Sequence, residues 1–294
     1  MKNIFSLAPI ISLIFSLQAT AQGNFDLWVV ETTGKGGKLE LNTTTAYALT
    51  DRPEYDNQPN FINEYQMVFS AADDKGNFDI IGYNFQTKNF TNLSKTSDRN
   101  ENSPRITDCG MYIAAVVSEP DKKQRIWLYP TNFKPAELLY EDIEPVGYFD
   151  WYDNKAAMFI LGNPNKLVYA ESRDNLIEID TEIARSINRR PKTSSITYLS
   201  TREFKDSKAF KLKSYDIESK DRNDFGYGLP GSQDFIWIDK NYLLMAQGNT
   251  IYKRRFSDSI WEAIGTITTD THQNISRMAY SEDLNVLVIA MERK

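Results

Sequence analysis

Residues capable of nucleophilic catalysis or zinc binding are scarce in this 294-residue chain. His272 is the only histidine, Cys109 is the only cysteine, and no Gly-x-Ser-x-Gly motif occurs. A serine-hydrolase triad or a histidine-based zinc site needs more than these residues supply. We expect Cys109 to be a small buried residue in the turn 107–110 and His272 to lie in a solvated polar loop, and we predict a catalytic role for neither.

Polar side chains at regular intervals suggest binding chemistry instead. They supply amide, phenol, guanidinium and carboxylate groups, which hold ligands through hydrogen bonds and ion pairs. If the segments that carry them surround one channel, the groups meet at its mouth, and we predict a ligand-binding funnel there. The candidate residues are Asn57, Asn102, Tyr148, Arg185, Asn188, Gln233, Asp234 and Arg277.

Arg185 is the candidate with the most specific chemistry. It lies in the segment 184–191, where Arg185 and Arg189 replace the small, polar or apolar residues found at equivalent places elsewhere. A guanidinium beside an inner strand needs water or an anionic partner. Pairing with Asp234 would be a purely structural outcome. We predict instead that Arg185 points into the funnel with free donors and receives a peptide terminus or an acidic side chain.

The elements that must position these residues are clearest in the segment 57–85. Residues 58–62, 65–71 and 78–85 have strand-like composition, and the turn-forming segments 63–64 and 73–77 separate them. Residues 89–93 predict a fourth strand. Four short antiparallel strands cannot bury both faces alone, so this unit requires neighbours on each side.

Weaker copies of the unit recur along the chain. Anchor residues that precede equivalent turns are spaced by 45, 45, 86 and 43 residues, and they are Phe61, Ile106, Trp151, Trp237 and Tyr280. An apolar strand follows each anchor, and the strand around 196–198 places a missing anchor near Arg189. The interval of 86 residues therefore covers two periods, which gives six units. We expect Trp151 and Trp237 to be buried between units.

The two ends of the repeated region complete one unit between them. Residues 24–31 match the third strand of a unit, whereas residues 286–291 match a second strand. A shared unit would hold the first and last units together and remove exposed strand edges. We therefore predict an all-β fold, a six-bladed β-propeller over residues 22–294 closed by a blade shared between the N- and C-terminal strands. A solenoid would need polar end caps, and a β-sandwich would not repeat so evenly.

The first strand of each propeller blade is innermost, so residues just before the anchors should line the channel mouth. Three residues before the anchors stand Gln58, Ser103, Tyr148, Ser186, Asp234 and Arg277. Four residues before them stand Asn57, Asn102, Gly147, Arg185, Gln233 and Ser276. This predicted lining is almost entirely polar.

The repeat resembles that of the TolB-like propellers, written P-x-F-S-P-D-G-x-x-I-x-F-x-S…G-x-x-D-I-Y. The resemblance rests on Asn-Gln-Pro-Asn-Phe at 57–61, Met-Val-Phe-Ser at 67–70, Gly-Asn-Phe-Asp-Ile at 76–80 and Tyr-Ser-Glu-Asp-Leu-Asn-Val-Leu-Val at 280–288. It covers residues 24–294, without the Pro-Asp-Gly turn and without the α/β domain that precedes the propeller in TolB. The resemblance implies the fold and an exported bacterial binding module, and it implies no activity.

A calcium-dependent hydrolase of lactonase type, with its site in the central channel, is the alternative. Calcium takes carboxylate and amide oxygens as ligands, and such groups occur near the predicted inner strands. Any propeller channel carries polar groups, however, because strand edges need solvation. We therefore predict a binding or scaffold module without catalytic residue, metal or cofactor, and keep calcium as the feature of the alternative.

The first 21 residues have the pattern of a cleavable signal peptide. Lys2 precedes the apolar run 4–17, and Ala19-Thr20-Ala21 has the small residues of a cleavage site before Gln22. This pattern predicts a periplasmic or secreted protein with no integral membrane segment after cleavage. The net charge of −6 disfavours nucleic acid as a partner. We expect a protein or peptide partner and a monomeric state.

Overall fold

The computed structural model describes residues 24–204 and 209–294. These residues form 24 β-strands in six four-stranded antiparallel sheets, which we number as blades 1 to 6. The predicted all-β fold with six propeller blades is confirmed. The predicted signal peptide, residues 1–21, lies outside the described residues.

The strands follow one another in a regular order along the chain. Strands β1 (Phe25–Thr33) and β2 (Glu40–Ala48) come first and belong to blade 6. Blade 1 contains β3 (Asp56–Phe61), β4 (Gln66–Ala72), β5 (Phe78–Asn84) and β6 (Asn89–Asn92). Blade 2 contains β7 (Asn100–Ile106), β8 (Tyr112–Ser118), β9 (Gln124–Pro130) and β10 (Glu137–Leu138).

The remaining blades repeat this arrangement. Blade 3 contains β11 (Val146–Tyr152), β12 (Lys155–Ile160), β13 (Lys166–Ser172) and β14 (Asn175–Thr181). Blade 4 contains β15 (Ile183–Arg189), β16 (Ser195–Ser200), β17 (Lys211–Asp216) and β18 (Arg222–Tyr227). Blade 5 contains β19 (Phe235–Trp237), β20 (Tyr242–Gln247), β21 (Thr250–Arg255) and β22 (Glu262–Thr266), and β23 (His272–Ser281) and β24 (Val286–Arg293) complete blade 6.

The repeat predicted from the anchors has the correct register. Phe61, Ile106, Arg189 and Trp237 are the last residues of β3, β7, β15 and β19. The other two anchors lie one residue before the ends of β11 and β23. The missing fourth anchor near Arg189 therefore does mark a blade, although its sequence breaks the pattern.

The blades contact one another in a ring. The innermost strands are in contact between five pairs of neighbouring blades: β3 with β7, β11 with β15, β15 with β19, β19 with β23, and β23 with β3. Blades 2 and 3 are in contact through β11 with β8 and β9. In blade 6 the strand order is β2, β1, β24, β23, with β1 antiparallel to β24 from Phe25 opposite Glu292 to Glu31 opposite Val286. How far this pairing of the two ends holds the ring closed stays a prediction, which a deletion described in the Discussion tests.

The hydrophobic core is divided into six clusters, one between each pair of neighbouring blades. Both faces of most sheets are therefore buried, which explains why apolar runs rather than strict alternation mark the second strands. Trp151 is 2% exposed between blades 2 and 3, as predicted. Trp237, predicted to be buried, is only half-buried between blades 4 and 5, where its Nε1 donates to Thr197 Oγ1 at 2.8 Å.

No helix within residues 24–204 and 209–294 has the length and apolar character needed to span a membrane.

Candidate binding funnel

The innermost strands of all six blades surround a small central cavity of about 80 Å³, which we call the inner cavity. Each blade contributes the residue three positions before its anchor. These residues are Gln58, Ser103, Tyr148, Ser186, Asp234 and Arg277. The spacing argument therefore places this ring of side chains correctly, and the inner cavity has room for a few water molecules or one small functional group.

A wider pocket of about 430 Å³ adjoins the inner cavity, and we call it the outer pocket. The loop 230–234, the turn 246–248 and residues 274–276 of β23 line it. Arg185, Asp234 and Met278 line both spaces, so the two lie side by side with these residues at their boundary. Together they form the funnel, which narrows from the face of blades 5 and 6 toward the centre.

Irregular pairing of the innermost strands shapes the inner cavity. The register between β3 and β4 shifts between Asn57 and Asn60, and that between β7 and β8 shifts between Asn102 and Arg105. At these equivalent bulges, Gln58 and Ser103 have positive φ values of 61° and 51°. Ser103 N donates to Gln58 Oε1 at 2.6 Å. Bulges re-aim side chains, and here they turn backbone and polar groups toward the channel.

One carboxylate and two guanidinium groups meet where the inner cavity joins the outer pocket. Arg185 Nε donates to Asp234 Oδ2 at 2.8 Å, and Arg185 Nη2 bonds the same oxygen. Arg277 Nη1 pairs with the other oxygen, Asp234 Oδ1. We call Arg185 and Arg277 the arginine pair. The prediction that Arg185 has free donors is wrong in this respect, because its guanidinium lines the funnel but is paired with Asp234.

Aromatic side chains enclose the arginine pair on the blade 1 and blade 3 sides. The guanidinium carbon of Arg277 lies 5.0 Å from the ring centroid of Tyr148. Tyr55 is 7% exposed, and its burial raises its pKa against the opposing field of Arg277. Burial, together with repulsion from Arg185, lowers the pKa of Arg277 to about 10. Arg277 remains cationic at neutral pH, but the low-dielectric surroundings make its charge costly.

A third arginine, Arg105, also lines the inner cavity and was not predicted. Its Nη1 lies 2.7 Å from Asp150 Oδ2. The same carboxylate accepts a hydrogen bond from the backbone N of Arg189 at 2.5 Å. Arg189 is the last residue of β15, and its Nη1 lies 2.8 Å from Oδ1 of Asp108 in the turn after β7. Arg105 and Arg189 each have a carboxylate partner, and neither adds unbalanced charge.

The other predicted funnel residues are spread over different positions. Asn188 lines the inner cavity and donates to the backbone O of Phe235 at 2.8 Å. Gln233 is exposed and lines the outer pocket. Asn57 is buried and donates to Ser276 Oγ at 3.0 Å, and Asn102 is half-buried on β7. Asn57 and Asn102 lie outside the linings of the two spaces.

Sequence reasoning missed Arg105 and Tyr55 for an identifiable reason. The anchor spacing directs attention to positions three and four before each anchor, as in an unbroken strand. Arg105 lies one position before Ile106, and the bulge in β7 brings it into the lining. Tyr55 lies just before β3 and approaches from the side. A strand bulge has no reliable signal in one sequence.

His272 and Cys109 both differ from expectation. His272, predicted to be solvated, is 2% exposed and begins β23, with Nε2 2.8 Å from Asp26 Oδ2. This contact belongs to a cluster that joins the two ends of the chain. Cys109, predicted to be buried, is exposed in the turn after β7. A turn at the end of an innermost strand lies on the surface of the ring, which explains the error.

Among the described residues, no group of three or more His, Cys, Asp or Glu side chains is placed to hold a metal ion. Asp234 is the one acidic residue in the lining of the inner cavity within the described part of the chain, and arginines pair with its carboxylate. The inner cavity is therefore lined by polar groups and three arginines, an arrangement suited to binding anionic or polar groups.

Comparisons with known proteins support the fold. No protein-family model matches the chain, and no curated protein matches its sequence. A candidate TolB from Agrobacterium tumefaciens superposes with a TM-score of 0.66 at 10% identity, covering 92% of this chain and 99% of that one. A chain of a nidogen/laminin complex gives a TM-score of 0.58 at 12% identity, covering 81% and 92%.

TolB from Acinetobacter baumannii is also similar, with a TM-score of 0.52 at 14% identity over 69% of this chain. The match covers 52% of that protein, so this chain spans about half the length of that TolB. Likeness at such low identity shows the fold alone. The chain is therefore similar to TolB-like propellers in architecture, and the resemblance seen in its repeats is confirmed at that level.

Proposed function

We propose that this protein is an exported, non-enzymatic binding module that holds a peptide or protein partner at the funnel. The observation that carries the proposal is the shape and lining of the funnel. A pocket of about 430 Å³ leads to an inner cavity of about 80 Å³, and a charged cluster lies where they meet. A partner segment can rest in the wider space and place one group into the narrow one.

The size of the inner cavity favours binding over hydrolysis in the channel. Sites that enclose a small-molecule substrate commonly measure about 300–1,000 Å³. The inner cavity is much smaller, and arginines dominate its charged lining. Calcium needs roughly six to eight oxygen ligands, and nearby guanidinium groups repel a cation. No observation on the funnel favours the calcium-dependent hydrolase.

The proposed export rests on the sequence of the first 21 residues. A basic start, an apolar run and a small-residue cleavage site form the pattern of a secretory signal. Six blades with loops on both faces suit a protein that presents a surface to a partner. We propose a monomer that works outside the cytoplasm, in the periplasm or after secretion.

A capture experiment with a blocked funnel tests the proposal. Gln233 is an exposed residue of the outer pocket, so Gln233→Trp should fill that space without touching the arginine pair. Gln86 is exposed in the turn between β5 and β6, away from the funnel, and Gln86→Trp is the matched control. Purified wild-type protein and both variants are incubated with an envelope fraction, and bound proteins are identified by mass spectrometry.

We expect one partner to be recovered with the wild type and with Gln86→Trp and to be lost with Gln233→Trp. Equal recovery with all three would contradict a funnel-based site. Metal analysis of the purified protein is done in parallel. One calcium per chain that is lost in Gln233→Trp, together with hydrolytic activity, would favour the alternative.

A further inference from the structure

We infer that the arginine pair is a receptor for a single carboxylate group of a peptide ligand. The inference rests on the proposed function and goes further by naming the chemical group that enters the inner cavity. The carboxylate comes either from a peptide C-terminus or from an acidic side chain, and the experiment below separates these two sources.

The charges at the arginine pair do not balance. Arg185 and Arg277 share the one carboxylate of Asp234, whereas Arg105 has its own ion pair with Asp150. One positive charge is therefore left over in the lining of the inner cavity. Among the described residues, neither arginine of the pair has an ion pair with any other acidic side chain.

The surroundings make this excess charge unfavourable in the absence of a ligand. The side chains of Arg277 and Asp234 are only 15% and 12% exposed, and Tyr148, Phe235 and Met278 provide much of the wall. A charge is costly in such surroundings unless an opposite charge approaches. Binding a carboxylate would relieve that cost, and the interaction would be stronger than at an open surface.

The dimensions suit a carboxylate at the end of a chain. The inner cavity of about 80 Å³ has room for one small group but cannot hold a whole residue and its neighbours. The rest of the peptide would lie in the outer pocket of about 430 Å³. Arg185 is the more accessible of the pair, with 35% of its side chain exposed, and faces both spaces.

The charge balance also predicts selectivity for a monoanion. Only one positive charge is uncompensated, so a dianion such as phosphate would bring surplus negative charge beside Asp234. Glu292 lines the outer pocket and accepts a hydrogen bond from Asn274 at 2.9 Å. This carboxylate disfavours a second acidic group in the wider space.

The first experiment measures stabilisation of the purified protein by small anions. Sodium acetate is titrated against sodium chloride at equal ionic strength, and the melting temperature is recorded. A ligand that binds only the folded state raises the melting temperature in proportion to the logarithm of its concentration above its dissociation constant. We expect acetate to raise the wild-type melting temperature more than chloride does, and phosphate to have no larger effect than acetate.

The variants identify the residues responsible. Arg185→Gln should weaken acetate binding by about tenfold or more, the usual effect of losing a charged hydrogen bond. Asp234→Asn should be less stable than the wild type and should gain more from acetate, because the ligand replaces the missing carboxylate. Asp26→Asn removes a more deeply buried aspartate that lines neither the inner cavity nor the outer pocket, and this variant should gain no more from acetate than the wild type.

The second experiment finds the source of the carboxylate by calorimetry. Three tetrapeptides are compared: acetyl-Ala-Ala-Ala-Ala with a free C-terminus, the same peptide as its amide, and the amide of a variant with one internal Glu. Binding of the free acid alone assigns the site to C-termini, and binding of the Glu peptide alone assigns it to acidic side chains. Equal binding of all three contradicts the inference.

Absence of any acetate effect, or an acetate effect unchanged in Arg185→Gln, also overturns the inference. Neither result affects the conclusion drawn from the capture experiment with Gln233→Trp. A partner that is lost with Gln233→Trp but binds Arg185→Gln at full strength would leave the proposed function intact and remove the carboxylate receptor.

Discussion

Asp26 and Asp234 are two aspartates that each contact two basic side chains, but Asp26 is buried and Asp234 is only partly buried. Asp26 is fully buried and bonds His272, Arg293, the hydroxyl of Thr50 and the backbone N of Arg52. Arg293 in turn lies 2.8 Å from a second carboxylate, Asp51. We call this group the terminal cluster, because it links β1 to both strands of the C-terminal end.

At Asp234 two arginines compete for one carboxylate, whereas in the terminal cluster two carboxylates share one arginine and one histidine. The first group faces a cavity, whereas Asp26 and His272 in the second are enclosed by protein. Buried charged groups whose partners are all within the protein hold segments in place. A charged group that lacks a full set of partners and faces open space can accept a ligand. The surplus of arginine over carboxylate at Asp234, together with its open face, distinguishes the receptive site from the structural cluster.

Glu101 is a third kind of buried carboxylate. It is fully buried and accepts hydrogen bonds from Tyr129 Oη and Thr96 Oγ1, both at 2.7 Å, while its Oε2 has no partner. Burial raises its pKa to about 7, against the lowering effect of these hydrogen bonds. Among the described residues Glu101 has no ion-pair partner, and its burial favours the protonated form.

The largest expected effect comes from removing the strand that carries Asp26. A chain beginning at Gly34 lacks β1 and leaves β24 and β2 without their partner. Two exposed strand edges and an opened hydrophobic cluster should abolish soluble folding or lower the melting temperature steeply. A chain beginning at Asn24 is the control. Circular dichroism melting and gel filtration provide the readout, and equal melting of the two chains would contradict closure through blade 6.

The next effect in size concerns the terminal cluster itself. Asp26→Ala should cost about 3–5 kcal/mol, because it leaves buried cationic and polar groups unpaired. Asp51 also contacts Arg293, but its side chain is 76% exposed. Asp51→Ala should therefore cost no more than about 1 kcal/mol. Urea unfolding of both variants measures the difference, and similar costs would show that the cluster does not act as a saturated structural unit.

A smaller, pH-dependent effect is expected at Glu101. Its pKa is raised from 4.5 to about 7 on folding, so proton binding stabilises the fold at low pH. That contribution is complete below about pH 4.5 and is lost as the pH rises through about 7. Glu101→Gln stays neutral, so relative to wild type it should gain roughly 3 kcal/mol at most between pH 4 and pH 8. Parallel stability profiles for the two proteins over this range would show that Glu101 ionises without penalty.

Much of the fold could be predicted because a repeat multiplies a weak signal. Each blade alone is ambiguous, but anchors such as Phe61, Ile106 and Trp151 at equal intervals fix the strand register together. Even the degenerate fourth unit was located from its neighbours. Trp237 shows the limit of this reasoning, since an anchor position determines the place of a residue but not its depth of burial.

The site could be predicted only in outline. The spacing placed Tyr148, Asp234 and Arg277 in the lining of the inner cavity. It could not show that Arg185 and Arg277 share Asp234, because residues from blades 4, 5 and 6 meet only across the ring. It also missed Arg105, which a bulge turns inward.

The sequence by itself determined the number of units, their four strands and the ring of polar residues before the anchors, since these follow from local periodicity of 2 and a repeat near 45 residues. Only the tertiary structure decided which charges are balanced. A pairing such as that of His272 with Asp26, or of two arginines with Asp234, joins residues 246, 49 or 43 positions apart. Their distance depends on how six twisted sheets close around one axis, and no local pattern encodes it.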